Sequence, residues 1–255
     1  MRRAVISASL ALLVASPIAA VGPVYKPPPD SAPLLLGIDW SKGELVGQEY
    51  TEAFKACDSG PCSTDPNRNT VILQMPTDTV FFDAKMGLDT DGATFFGPGG
   101  DATHLPNTAW KLEGTSIDSN AVPYFVVPLG TFRQGLGVKL GDVAMVIYRG
   151  QRSPAVVADL GPYGSVHAGK TYFRLGEGSI ALHEALGHKL RKLDASGKLI
   201  GVKDVSIQSV GKSAGPVLYF IFRDSEPKDL TRANLASKIS EEAEKRFAAL
   251  LASSR

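Results

Sequence analysis

The sequence predicts a mainly β protein, a compact six-stranded β-barrel with a few peripheral α-helices. Residues 121–128, 142–148 and 154–158 are continuous apolar runs joined by Gly-containing connections. Unbroken runs of this length point to strands buried on both faces, as in a closed barrel or a covered sheet. Shorter β-branched and aromatic runs bounded by Pro, Asp or Gly recur at residues 71–75 and 79–82, and further strands are expected at 205–210 and 217–222. Helical spacing is confined to two stretches. Residues 179–190 carry Ile180, Leu182, Leu186 and Leu190, and residues 229–251 carry Leu230, Leu235, Ile239, Ala243, Phe247 and Leu250.

Ahead of this core, Arg2 and Arg3 precede the apolar or small residues 4–20, the n-region and h-region of a secretory signal peptide. Cleavage after Ala20 or Gly22 fits the small residues there, and the expected location is secreted or periplasmic. A retained anchor is the alternative, but a run of about 17 residues is at the lower limit for spanning a bilayer. Residues 23–33 are Pro-rich and read as an extended, poorly packed spacer. Residues 34–255 then form a single domain, with ample chain for its own core. The chain has 27 basic and 26 acidic residues, and loss of Arg2 and Arg3 leaves it near neutral. That balance does not suggest a nucleic-acid partner. No membrane partner is expected after signal cleavage, and the protein is read as a monomer. In an oxidising compartment Cys57 and Cys62, the only cysteines, read as a disulfide closing a tight Gly-Pro loop.

Two carboxylates stand out. Asp159 follows the apolar run 155–158, where a charged side chain is held rigidly at the rim of the core. Glu177 lies between Gly176 and Gly178 just where a helix begins, and those glycines permit close approach of backbone or ligand. Taken singly, Asp159 also reads as a turn residue and Glu177 as a partner of the helix dipole.

The order of the motifs adds to this. Val122-Pro123-Tyr124, Leu140-Gly141-Asp142, Val157-Ala158-Asp159-Leu160-Gly161-Pro162 and Gly176-Glu177-Gly178-Ser179, preceded by Asp89-Thr90-Asp91-Gly92, resemble the core signature of glycoside hydrolase family 75, the fungal-type chitosanases. The resemblance covers roughly residues 80–190. It implies a double-psi-like barrel and inverting hydrolysis of β-1,4-linked glucosamine chains by an Asp and a Glu, which fall on Asp159 and Glu177 here. Glu177 is assigned as acid and Asp159 as base, with the labels exchangeable because burial decides which pKa rises. Asp89, Asp91, Asp142 and Tyr124 are the candidate substrate-binding residues, the carboxylates pairing with glucosamine ammonium groups. Asp142 reads equally as a cap of its strand. The run His167, Lys170, Tyr172, Phe173, Arg174 departs from the family pattern.

No cofactor or metal is expected. Asp89-Thr90-Asp91-Gly92 opens like a calcium loop but lacks the rest of an EF-hand, and reads as an Asp-Gly turn. His183 and His188 miss the H-E-x-x-H spacing; at i+5 they sit about 140° apart on a helix. Ser179 reads as an N-cap, not a nucleophile. The expected function is therefore an exported endo-acting hydrolase of chitosan or a related amino-sugar polymer. The alternatives are action on another glycan such as peptidoglycan, and a non-catalytic carbohydrate-binding, envelope-associated or structural protein on the same scaffold.

Overall fold

The computed structural model describes residues 25–47, 71–97, 103–129, 131–161, 165–167, 170–172, 175–203, 207 and 216–253. The expected signal peptide, the Cys57–Cys62 pair and most of the expected strand at 205–210 lie outside these residues, as do the side chains of the 167–174 run.

The described protein is mainly β. Its strands are β1 (Glu44–Leu45), β2 (Ile72–Met75), β3 (Thr79–Ala84), β4 (Gly87–Asp89), β5 (Lys111–Leu112), β6 (Thr115–Ser116), β7 (Tyr124–Val127) and β8 (Val143–Tyr148). They continue with β9 (Gln151–Leu160), β10 (Ser165–His167), β11 (Lys170–Tyr172), β12 (Glu177–Ser179), β13 (Arg191–Leu193), β14 (Leu199–Val202) and β15 (Val217–Phe222). The helices are α1 (Thr131–Leu136), α2 (Ile180–Ala185) and α3 (Leu235–Ala252). One large sheet runs in the order β1-β2-β3-β15-β8-β9-β7-β12-β4, and three two-stranded hairpins stand apart from it. Within it β7–β9 and β12–β4 are parallel. Strands β3 and β4 are separated by only Lys85 and Met86, yet β3 pairs with β15 while β4 pairs with β12 at the far end of the order. No helix among the described residues is long and apolar enough to cross a membrane.

Both faces of the sheet are apolar, which explains the unbroken runs. On β8, Val143, Met145 and Ile147 join one core with Phe81, Phe220 and Phe247. Ala144 and Val146 join another with Phe82, Phe125 and Tyr219. Helix α3 covers the first with its buried stripe Leu235, Ile239, Ala243, Phe247 and Leu250, as its spacing predicts, although the helix begins at Leu235 and not at 229. At about 1.5–3 kcal/mol for each large apolar side chain removed from water, that stripe is a major part of what closes this face.

The Pro-rich segment is not the poorly packed spacer its composition predicts. From Tyr25 onward it is docked on the core through Tyr25, which packs against it partly buried, and Ser31, which is buried. The Tyr25 ring lies 4.8 Å from both Trp40 and Phe81. Its hydroxyl donates to Asp83 Oδ2 at 3.2 Å, and Val71 N–H donates to Oδ1 at 2.7 Å. Proline stiffens the segment and lowers the entropy lost when a single aromatic anchors it. The 179–190 helix is also shorter than its periodicity predicts. Ser179 caps it as expected, accepting from Leu182 N–H, but the helix stops at Ala185 and Gly187 turns the chain at φ +80°.

Burial raises the Asp83 carboxyl to about 7, against the lowering effect of Val71 N–H and the Tyr25 hydroxyl. The folded protein therefore keeps a proton that the unfolded chain releases near its ordinary value of 3.8. Stability falls as pH climbs from about 4 to about 7 and levels off above, an effect on the order of 4 kcal/mol. Denaturant unfolding of wild type and Asp83→Asn across that range measures it: the difference between the two proteins is expected to shift progressively in favour of the variant as pH rises.

Candidate active site

Asp159 owes its position to a β-bulge. Along the parallel β7–β9 pair Tyr124 faces Val156 and Phe125 faces Val157, but Val126 faces Asp159, leaving Ala158 out of register. Bulges re-aim side chains and free backbone groups for other partners. Here the Ala158 carbonyl accepts from Trp110 N–H at 2.8 Å. Asp159 Oδ1 accepts from Ala109 N–H at 2.9 Å and from Leu160 N–H at 2.7 Å. The side chain is fixed by backbone on two sides, and Asp159 sits inside the end of β9 instead of just after it. Its other oxygen, Oδ2, is buried and meets no N–H or hydroxyl donor.

Glu177 lies in a three-residue strand, ahead of the α2 cap and not in the helix itself. Its placement depends on Gly176, which has φ +88° and whose α-carbon faces the Lys85 carbonyl so closely that a Cβ would fall 1.9 Å from that oxygen. Only glycine permits this approach. Glu177 then pairs with Gly87 on β4 and with Val126 on β7. Because Val126 also faces Asp159, Glu177, Val126 and Asp159 form one row across three neighbouring strands. Residues directly opposite one another share a face, so both carboxylates project from the same side, their backbones two strand spacings or roughly 9.5–10 Å apart. A small cleft lined by Lys85, Val126, Gly161, Leu175, Gly176 and Glu177 lies beside Glu177, and Asp159 is not part of its lining.

Asp89 joins them. Parallel register sets it opposite Ser179, two residues beyond Gly87 and so on the face of Glu177. One oxygen each from Asp89, Asp91 and Asp159 lie within 4.8 Å of one another. Backbone amides hold the group: Asp91 N–H donates to Asp89 Oδ1 at 2.7 Å, and Leu105 N–H donates to Asp91 Oδ1 at 2.6 Å. Burial, followed by the charge of Glu177, pushes Asp89 well above the carboxylate range, and Asp91 and Asp159 add to the effect. Burial also raises Asp159, opposed by its two backbone donors and by Asp91.

Two of the expected substrate-binding residues are buried and hydrogen-bonded within the protein. Tyr124 is fully buried, and its hydroxyl donates to the Asp91 carbonyl at 2.8 Å, so it positions the acidic loop from behind and presents nothing to a ligand. Asp142 is also buried and serves as the cap that was the other reading of it, accepting from Lys139 N–H at 2.7 Å and Ser225 N–H at 3.0 Å. The separation expected for the two histidines is overturned. With α2 ending early, the chain folds back and brings their Nδ1 atoms to 2.8 Å. His183 Nε2 must donate to the Gly87 carbonyl at 2.9 Å, so its Nδ1 accepts and His188 donates. Burial pushes His183 down to about 3, keeping it neutral, and it braces the β4 residue that pairs with Glu177.

Lys85 was not anticipated. It is buried, and its Nζ lies 3.4 Å from the point where a Cβ on Gly87 would stand, with Glu177 Oε1 3.7 Å from that same point. A lysine two residues before a glycine carries no signal of this in sequence. Backbone donors such as Ala109 N–H are likewise invisible there. No family model and no curated protein matches the chain.

Replacing Gly176 with Ala is expected to destabilise the fold by at least about 2 kcal/mol, because backbone must move to clear the Lys85 carbonyl. Urea unfolding of Gly176→Ala measures it; an unchanged midpoint would show that the approach of β12 to Lys85 is not needed.

Proposed function

We propose that the protein is an exported, endo-acting glycoside hydrolase that cleaves β-1,4-linked glucosamine polymer with inversion, using Asp159 and Glu177. The observation that carries the proposal is the shared row on β9, β7 and β12: two carboxylates on one face, their backbones roughly 9.5–10 Å apart, with only Val126 between them. Inverting hydrolysis needs about 6.5–9.5 Å between carboxyl groups so that a water fits beside the sugar. One group protonates the leaving glycosidic oxygen while the other takes a proton from water attacking the opposite face of the ring.

The burial of Asp159 favours the exchanged assignment, with Asp159 as acid and Glu177 as base. Lys85 Nζ and Glu177 Oε1 both lie over Gly87, which places a cationic side chain beside the proposed base. Partly exposed Asp91, beside Asp159, is suited to the ammonium group of a glucosamine unit.

The same reading includes the finer architecture. The run from Thr79 to Asp89 pairs at both ends of the strand order, through β3 to β15 and through β4 to β12. We take β3–β4 as one bent strand that closes a six-stranded, double-psi-like barrel with β15, β8, β9, β7 and β12, whose interior is the core around Phe82, Phe125, Val146 and Tyr219.

Reducing-end release from chitosan of graded acetylation tests the activity. Wild type is expected to release ends, and Asp159→Asn and Glu177→Gln to lose at least about 100-fold in rate while still binding the polymer. An inactive wild type across the series removes the chitosanase proposal. Activity retained by either variant removes that residue from the chemistry.

A further inference from the structure

Asp89, Asp91 and Asp159 belong to distant parts of the chain, and the fold gathers an oxygen from each within 4.8 Å of the others. Ionised carboxylates this close and this buried repel strongly, because low dielectric strengthens like-charge repulsion. Ordinarily such side chains splay apart, but here backbone amides pin each of them: Asp91 N–H on Asp89, Leu105 N–H on Asp91, and Ala109 and Leu160 N–H on Asp159. A second observation is independent of the clustering. Asp159 Oδ2 is buried and meets no N–H or hydroxyl donor, on a side chain only 5 % exposed whose remaining neighbour is the like-charged Asp91 carboxyl, and a buried acceptor left unsatisfied is costly. A cation supplies what both features lack.

We propose that this cluster is a binding site for a calcium-sized divalent cation. Oxygen-only donors suit a hard cation, and calcium, which holds its oxygens at about 2.3–2.6 Å in a flexible sphere, accepts an irregular donor set completed by water. Magnesium, at about 2.0–2.1 Å, demands a tighter and more regular cage. Asp91 is only partly buried, so the cluster is open to solvent on its side and water completes the coordination. The cation and a glycan compete for Asp159, since an ion resting on that carboxylate occupies the group that the proposed hydrolysis uses.

Calorimetric titration of calcium chloride into EDTA-treated, dialysed protein tests the site, with thermal unfolding in rising calcium as a second readout. Wild type is expected to bind one ion with micromolar to millimolar affinity and to unfold at higher temperature as calcium rises. Asp91→Asn, which keeps the Leu105 N–H bond through its amide oxygen, is expected to bind at least about 10-fold more weakly. Asp118→Asn, at an acidic residue outside the cluster, is expected to bind like wild type. No heat and no thermal shift in wild type at about 10 mM calcium overturns the proposal, and so does undiminished binding by both Asp91→Asn and Asp159→Asn. The titration contains no glycan, so its failure leaves the hydrolase reading intact. Absence of hydrolysis in EDTA leaves the cation site intact.

Discussion

Lys85 and Met86 are the two residues between β3 and β4, and the large sheet is organised around the step they make. Before it, the chain is a strand six residues long, fully buried and paired with β15. After it, the chain pairs instead with β12. The step is held on three sides. The Lys85 carbonyl accepts from the Tyr219 hydroxyl at 3.0 Å and presses against Gly176, while Met86 exchanges backbone hydrogen bonds with Ile207 at 2.9 and 2.7 Å. Without the glycine at 176, β12 cannot approach, and Glu177 loses the register that aligns it with Val126 and Asp159.

The acidic site is assembled from that register and one bulge. Neither carboxylate is presented by a flexible loop. Asp159 is gripped by two amides, and Glu177 is held between strands whose far side is braced by neutral His183 on the Gly87 carbonyl. Rigid presentation of this kind suits chemistry that needs a fixed separation between groups, because side chains free to move would relieve their repulsion by parting. Protons and cations are the two means by which such a cluster lowers its own energy, and the proposed hydrolysis and the proposed ion site draw on one each.

Much of the scaffold was legible in the sequence. The runs that became β8 and β15 read as strands because both faces of the sheet are covered, and the α3 stripe was visible because one face of an 18-residue helix is buried. Glu177 was singled out by its flanking glycines, but its three-residue strand is too short for any periodicity to show. The bulge at Ala158 was hidden for a similar reason, since an extra residue appears only against its partner strand. The gathering of Asp159 with Asp89 and Asp91 depends on sheet order, to which local pattern is blind. The internal hydrogen bonds of Tyr124 and Asp142 were not legible either, because a polar residue inside an apolar run shows its partners only once the fold brings them together. The histidine pair misled because helical angles were extended past the point where Gly187 ends the helix.

The two ends of the described chain meet. Gly37 packs so closely on Leu251 that a Cβ would stand 2.7 Å from its carbonyl, and Lys42 Nζ donates to the Ser253 carbonyl, 211 residues away. Such a contact cannot form until the chain has been made as far as α3. A chain that emerges vectorially therefore holds its first anchoring aromatics, Tyr25 and Trp40, without their full cover until α3 arrives. Closure of this face is tied to the synthesis of α3, and a molecule stopped short of that helix exposes the apolar residues around Phe81 and Phe220 that quality-control proteins recognise.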